Sequence, residues 1–383
     1  MIAMARPWLP VRAMPFVTLA SISSLMGAAC RALESKMAAV AISKFLQRTI
    51  GPPKDIVAKY PAPASSARPA VKQKAYTRMT TSPKLDATGW GLIAILSVIW
   101  GGAFFLIEVG LRSYPPITLV FMRLALAVPP MWLAMRLMGE RLPREPRLWW
   151  LLTVVGALNC ALPFILFFWG QQYLDSGYAA ILNATTPIWG VITAHFLTSD
   201  EKATPARIVG VLLGMAGIIV MVGPSAMAGL SDNLLAQIAC LVSTVFYSFA
   251  AIYGRRLSQG SLTPMAVATG QTLTATLLMV PVVLLVDQPW TMATPRLDAT
   301  LAGITLALLS TALAYTLYFR LIDRAGASNA QLVAFLMPIL AVILGFAFLN
   351  ESLSGGQVIG AALIGLGLVI LDGRLLARRV AVP

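Results

Sequence analysis

From Trp90 onward, the chain alternates apolar runs of about 20 residues with short polar breaks. The runs cover 90–110, 116–137, 148–170, 178–198, 206–223, 234–253, 264–286, 300–321, 328–349 and 357–373. A hydrocarbon core about 30 Å thick is crossed by roughly 20 apolar residues in a helix. The runs are apolar on most faces, whereas a surface helix of a water-soluble domain carries one apolar stripe. The pattern therefore predicts an all-α membrane protein with ten transmembrane helices.

Composition points the same way. Of 383 residues, 58% are hydrophobic and 11% charged, against about 25% charged in a soluble domain. The net charge of +14 is concentrated at one end. Residues 1–85 hold 13 Lys/Arg and 2 Asp/Glu, and the remainder holds 16 and 13. The body has no basic stripe interleaved with exposed aromatics, so nucleic acid is not an expected partner. With the segment before the first run in the cytoplasm, thirteen of the sixteen body cations fall on the cytoplasmic side. Arg112 and Arg296 fall outside and Arg123 lies within a run. This asymmetry puts both termini in the cytoplasm, with residues 374–383 as a basic cytoplasmic tail.

The chain repeats itself. Shifted by 151, Ala161, Phe168, Ala179 and Pro187 meet Ala312, Phe319, Ala330 and Pro338. After a one-residue slip, Glu201, Gly210, Gly217 and Gly223 meet Glu351, Gly360, Gly367 and Gly373. Five runs per copy is an odd number, so the second copy inserts upside down relative to the first. Inverted repeats are a construction of secondary transporters. Enzyme signatures are missing: no GxxxxGK[ST], HExxH or GxSxG occurs. Three Cys and a single His, His195, give neither a disulfide framework nor a metal cluster, and no cofactor is expected.

This sequence resembles the EamA family of the drug/metabolite transporter (DMT) superfamily over roughly residues 89–373. The resemblance rests on Trp100-Gly101, Pro116 and Arg123, then Tyr173 through Ala179, Ala180 and Pro187 to Glu201 and Gly210. It rests equally on Ala330, Pro338, Glu351, Gly360 and Gly367 of the second copy. It implies two inverted five-helix EamA repeats, 89–223 and 233–373, around a central cavity. It also implies metabolite efflux: small metabolites moved, often outward, across the inner or plasma membrane. One departure matters. Gln271 stands in the second copy where Arg123 stands in the first, so the cavity holds one fixed cation. A site for triose phosphates or nucleotide sugars is correspondingly less expected.

Arg123 is the first candidate for the substrate pathway. A guanidinium inside a membrane normally faces a bundle interior or a water-filled cavity and has a partner. It can clamp a carboxylate or phosphate, or pair with Glu108 near the outer end of the first run, as a structural pair or a gate. Pro187 and Pro338 fall mid-run at matched positions, where such interruptions point to a transport site. Asn183, Thr186 and Gln331 are the polar residues near them, and Thr185 and Thr186 can satisfy backbone that Pro187 frees. Trp100, Tyr247, Tyr315 and Gln271 complete the candidate pathway. Glu201 and Glu351 are read as charges favouring the starts of their own helices, ahead of caps at Thr204 and Ser354. Gly210 with Gly214, and Gly356 with Gly360, form GxxxG pairs. These suit contact either between the halves or between protomers.

Residues 1–85 mix an apolar stretch, Met14–Ala29, with a Pro/Ala/Ser/Lys-rich linker, Gly51–Lys84. The leading reading is a disordered or over-extended segment with the native start at Met79; a targeting segment and an extra helix stay open. The expected function is secondary transport of a small-molecule substrate within the lipid bilayer. Drug efflux, uptake, and a scaffold or sensor without flux are the alternatives. A homodimer and proton coupling stay open.

Overall fold

The computed structural model describes residues 86–197, 204–227, 232–260, 262–325 and 332–372. Residues 1–85, Glu201, Gln331 and the tail 374–383 lie outside the described residues. Among those described, every regular element is a helix. In chain order they are α1 (Ala87–Leu111), α2 (Pro116–Leu137), α3 (Pro146–Gly170), α4 (Ser176–Leu197) and α5 (Pro205–Met227). There follow α6 (Asp232–Gly260), α7 (Pro264–Asp287), and α8, which runs from Leu297–Ala307 into Ala314–Ala325. The last are α9 (Leu332–Leu349) and α10 (Gly355–Asp372).

Among the described residues, seven helices are long and apolar enough to cross a membrane: α1 to α4 and α6 to α8. Shorter apolar stretches occupy Pro205–Val220, Leu336–Leu349 and Gly355–Ile370 in α5, α9 and α10. The outer surface is apolar. Ile219, Leu285, Phe346 and Phe348 are each more than 60% exposed, while Arg123, Gln271, Thr272 and Thr311 are buried. Polar inside and large apolar outside suits lipid as the solvent.

Local chemistry explains several helix starts. Asp86 accepts from Gly89 N (2.8 Å) ahead of α1. Thr263 accepts from Ala266 N before Pro264 at the start of α7. Thr204 and Ser354 cap α5 and α10 as expected, and Ser354 forms a capping box with Gln357. Helices α3, α4 and α8 begin two or three residues earlier than their apolar runs, because first turns such as Pro146-Arg147 and Ser176-Gly177 are not themselves apolar.

Other helix starts are capped from far away in sequence. Thr118 N and Oγ1 both donate to Asp287 Oδ2 at 2.7 Å, so the end of α7 caps the start of α2. Thr263 Oγ1 at the start of α7 donates to Glu140, just beyond α2. Glu351 corrects its expected role. Its carboxylate accepts from Ser176 N (2.9 Å), Ser176 Oγ (2.9 Å) and Gly177 N (3.0 Å), so it serves the start of α4 rather than of α10. The turn ending α9 aims it there: Asn350 takes the left-handed φ of 57° and Glu351 N donates back to Gly345 O; a left-handed residue is a common way to end a helix.

The mid-run prolines act differently from one another. α4 breaks at Ala184–Thr185 into Ser176–Asn183 and Thr186–Leu197. Pro187 leaves the Asn183 carbonyl without an N–H partner, and Thr186 Oγ1 donates to that carbonyl at 2.7 Å. Thr185 Oγ1 donates to Leu182 O at 2.7 Å. α9, by contrast, continues through Pro338. Ala334, Leu336 and Met337 before it offer no hydroxyl to replace a backbone donor. Thr186→Val is expected to lower stability by about 1 kcal/mol, read as a fall in the melting temperature of the purified protein, with Thr186→Ser recovering most of it.

Packing repeats across the chain. α1 packs on α8 and α9, α6 packs on α3 and α4, α2 packs on α7, and α5 packs on α10. The last pair meets backbone to backbone. A Cβ on Gly217 would stand 2.7 Å from Gly360 O, and one on Gly367 would stand 2.6 Å from Gly210 O. The glycines thus serve contact between α5 and α10 of one chain.

Candidate functional site

Arg123 sits in the second turn of α2, held in helix by Pro116 at its start and by the Asp287 cap. The side chain is 7% exposed. Its Nε donates to Thr311 Oγ1 at 3.1 Å. The guanidinium carbon lies 4.2 Å from the ring centroid of Phe164 and 5.8 Å from that of Phe168, both on α3. Faces of aromatic rings attract a cation, more so away from water. Tyr247 on α6, Tyr315 on α8 and Cys160 on α3 are the titratable groups that act on its charge.

Arg123 and Glu108 do not form an ion pair. Among the described residues no carboxylate lies within ion-pair distance of the guanidinium. The two Nη atoms have no protein hydrogen-bond partner there.

Thr311 and Cys160 stand on widened turns. α3 contains a π turn at Ala157–Ala161, and α8 contains one at Leu308–Leu313. The second begins 151 residues after the first, which is the sequence offset of the repeat. Such single widened turns inside α-helices are frequent at functional sites. Thr311 Oγ1 donates to Leu306 O, five residues back, while it accepts from Arg123. Cys160, on the α3 π turn, is buried, and the Thr272 hydroxyl on α7 donates to Ala268 O within its own helix. Arg123 to Thr311 therefore joins α2 to the α8 π turn.

The aromatic side chains follow the same pairing. Trp100 Nε1 donates to Ser310 O at 3.0 Å, and Ser310 Oγ donates to Ile99 O at 3.3 Å, tying α1 to the α8 π turn. Trp100 lies 5.3 Å from Tyr318 and edge-on to Tyr315 at 6.5 Å. Tyr247 stacks on Phe167 at 6.3 Å. Phe167 and Tyr318 are 151 residues apart, and Trp100 and Tyr247 occupy corresponding places in α1 and α6.

Of the residues expected in the pathway, the structure brings Arg123, Tyr247 and Tyr315 together, with Trp100 against Tyr315. Gln271 is buried on α7 next to Thr272, and its carbonyl accepts from Thr274. Asn183, Thr186 and Pro187 form the break of α4, where Thr185 Oγ1 lies 3.4 Å from Thr244 Oγ1 of α6. Pro338 lies in α9, and Gln331 lies outside the described residues. Sequence reasoning missed Thr311, Ser310, Phe164 and Asp287. Thr311 is 188 residues from Arg123, and no local spacing signals such a contact. The one available signal was the matched position of Cys160 and Thr311 under the repeat.

Comparison with known proteins adds to this geometry. The model of the EamA-like transporter family matches residues 87–223 and again residues 234–371. The uncharacterized inner membrane transporter YedA of Escherichia coli K12 is 28% identical over 69% of this chain and 84% of its own. Protein PecM of Dickeya dadantii is 28% identical over 73% of this chain and 91% of its own. A probable terminal-alkyne amino-acid exporter of Streptantibioticus cattleyicolor is 26% identical over 77% and 97%. Among solved structures, a crystal structure of a protein 20% identical in sequence superposes with a TM-score of 0.56. It covers 78% of this chain and all of its own, a likeness of fold alone.

Proposed function

Because the chain belongs to the EamA-like transporter family, and is a membrane transporter rather than an enzyme, we propose that it exports a small metabolite by alternating access of two inverted five-helix repeats. The repeats are residues 89–223 and 233–373, with α5, α9 and α10 spanning beside the seven longer helices. Both termini then face the cytoplasm of the cell whose inner or plasma membrane holds the protein.

The observation that carries this reading is the matched pair of contacts around Arg123. Each half offers one aromatic from its first helix to one on the third helix of the other half: Trp100 to Tyr318, and Tyr247 to Phe167. Each half also offers a π turn, 151 residues apart. Two halves built alike and inserted in opposite senses have two related arrangements, one open to each side of the membrane. A scaffold or sensor has no need of such matched contacts. The outward direction is supported by the exporter name of one relative, and the inner membrane by the name of another.

The test is flux into and out of proteoliposomes holding the full chain, with and without a proton gradient. Amino acids, small organic acids, purines and amphipathic drugs are the panel. Saturable flux of one class is expected. A folded protein that moves no class in either orientation would return the weight to a scaffold or sensor.

A further inference from the structure

We infer that Arg123 is the docking point for a single carboxylate carried on a small apolar or aromatic body that lacks an ammonium group. The inference rests on the transport reading and names its substrate class.

The charge at this site is buried and, among the described residues, without a counter-ion. Arg123 is 7% exposed, and among the described residues no carboxylate pairs with it. A charged group away from water is costly unless something neutralises it. Nε is fixed by Thr311, while among the described residues neither Nη atom has a hydrogen-bond partner. A guanidinium offers parallel N–H groups that match the two oxygens of a carboxylate. Thr311 and the ring of Phe164 fix how the fork is presented, so little ordering is left for the substrate to impose.

The surroundings set the rest of the molecule. Trp100, Tyr318, Phe167 and Tyr247 supply flat apolar surface on both sides of the repeat. Among the described residues, the titratable groups acting on the guanidinium are the hydroxyls of Tyr247 and Tyr315 and the thiol of Cys160, none of them a carboxylate. An ammonium next to the substrate carboxylate would therefore meet the Arg123 cation with no acidic partner to hold it. A phosphate dianion would need a second cation, and Gln271 stands where the repeat would supply one. One positive charge, no fixed negative charge among the described residues and several aromatic rings fit a monocarboxylate.

The experiment uses the full chain in lipid nanodiscs and four probes sharing one ring: 3-phenylpropionate, phenylalanine, phenethylamine and phenyl phosphate. Calorimetric titration is expected to show 3-phenylpropionate binding at least tenfold tighter than any of the other three. Arg123→Gln is expected to lose that preference, and Arg123→Lys to keep part of it, since a point charge cannot match both oxygens. Phenylalanine binding as tightly as 3-phenylpropionate overturns the inference, as does the absence of 3-phenylpropionate binding. Unchanged binding by a folded Arg123→Gln protein overturns it as well. Because the wild-type ranking is itself decisive, a variant that does not fold leaves the test intact. Flux separates the two readings. Transport of phenylalanine that ignores Arg123 removes the substrate class and leaves the transporter. Binding of 3-phenylpropionate without flux of any compound supports the docking point and removes the transport reading.

Discussion

Gly367→Val is expected to leave little correctly folded protein. At this position α5 and α10 meet with no side chain between them. An added Cβ would stand 2.6 Å from Gly210 O and 2.8 Å from Gly214 N. These are backbone atoms inside helices, so neither can swing aside as a side-chain tip would. The helices would have to separate, and separation also opens the second contact, where Gly217 faces Gly360 O at 2.7 Å. The cost lies at the upper end for overpacking, about 3 kcal/mol, a large fraction of the total stability of a folded chain. Gly217→Val is expected to behave alike. Gly365→Val supplies the control, because nothing lies within 4 Å of the Cβ it would add. Size-exclusion profiles and melting temperatures in detergent check all three. A Gly367→Val protein as stable as Gly365→Val would mean that α5 and α10 do not meet in this way.

Glu351→Ala is expected to cost nearly as much, by a different route. The carboxylate takes three hydrogen bonds at the start of α4, two from backbone N–H groups and one from Ser176 Oγ. Ser176 is fully buried, so water cannot replace what is lost. Removing a charged acceptor and stranding buried donors costs about 3 kcal/mol. Glu351→Gln keeps one acceptor oxygen and is expected to lose about half of that. The melting temperatures of the two variants should therefore be ordered wild type, Gln, Ala. Equal melting temperatures for all three would show that the cap contributes nothing. α4 carries the break at Pro187, so flux should fall together with stability, since the cap fixes the half-helix leading into that break.

Much of this protein was legible in its chain. Lipid as the solvent follows from 58% hydrophobic and 11% charged residues, because transfer into hydrocarbon sums over residues and needs no fold. The caps at Thr204 and Ser354 were legible because a cap acts over three residues. The Thr186 hydroxyl that stands in for the missing donor of Pro187 was legible for the same reason. The family was legible because its pattern recurs twice along the chain. The π turns were not: widening a turn needs one extra residue in an apolar run, and an apolar run looks the same with or without it.

What only the tertiary structure decided is which groups meet. Arg123 had Glu108 fifteen residues away as an apparent partner, and took Thr311 and Phe164 instead. Glu351 had its own helix start close by, and reached α4 across 175 residues of sequence. The glycines fitted contact within or between chains equally, and the fold brings them together within one chain. The physical reason is the same each time. Hydrophobicity, capping and helix breaking act over a few residues, so the sequence determines them alone. Charge pairing and close helix contact act through space, over a few ångströms, between segments whose nearness exists only after the chain has packed.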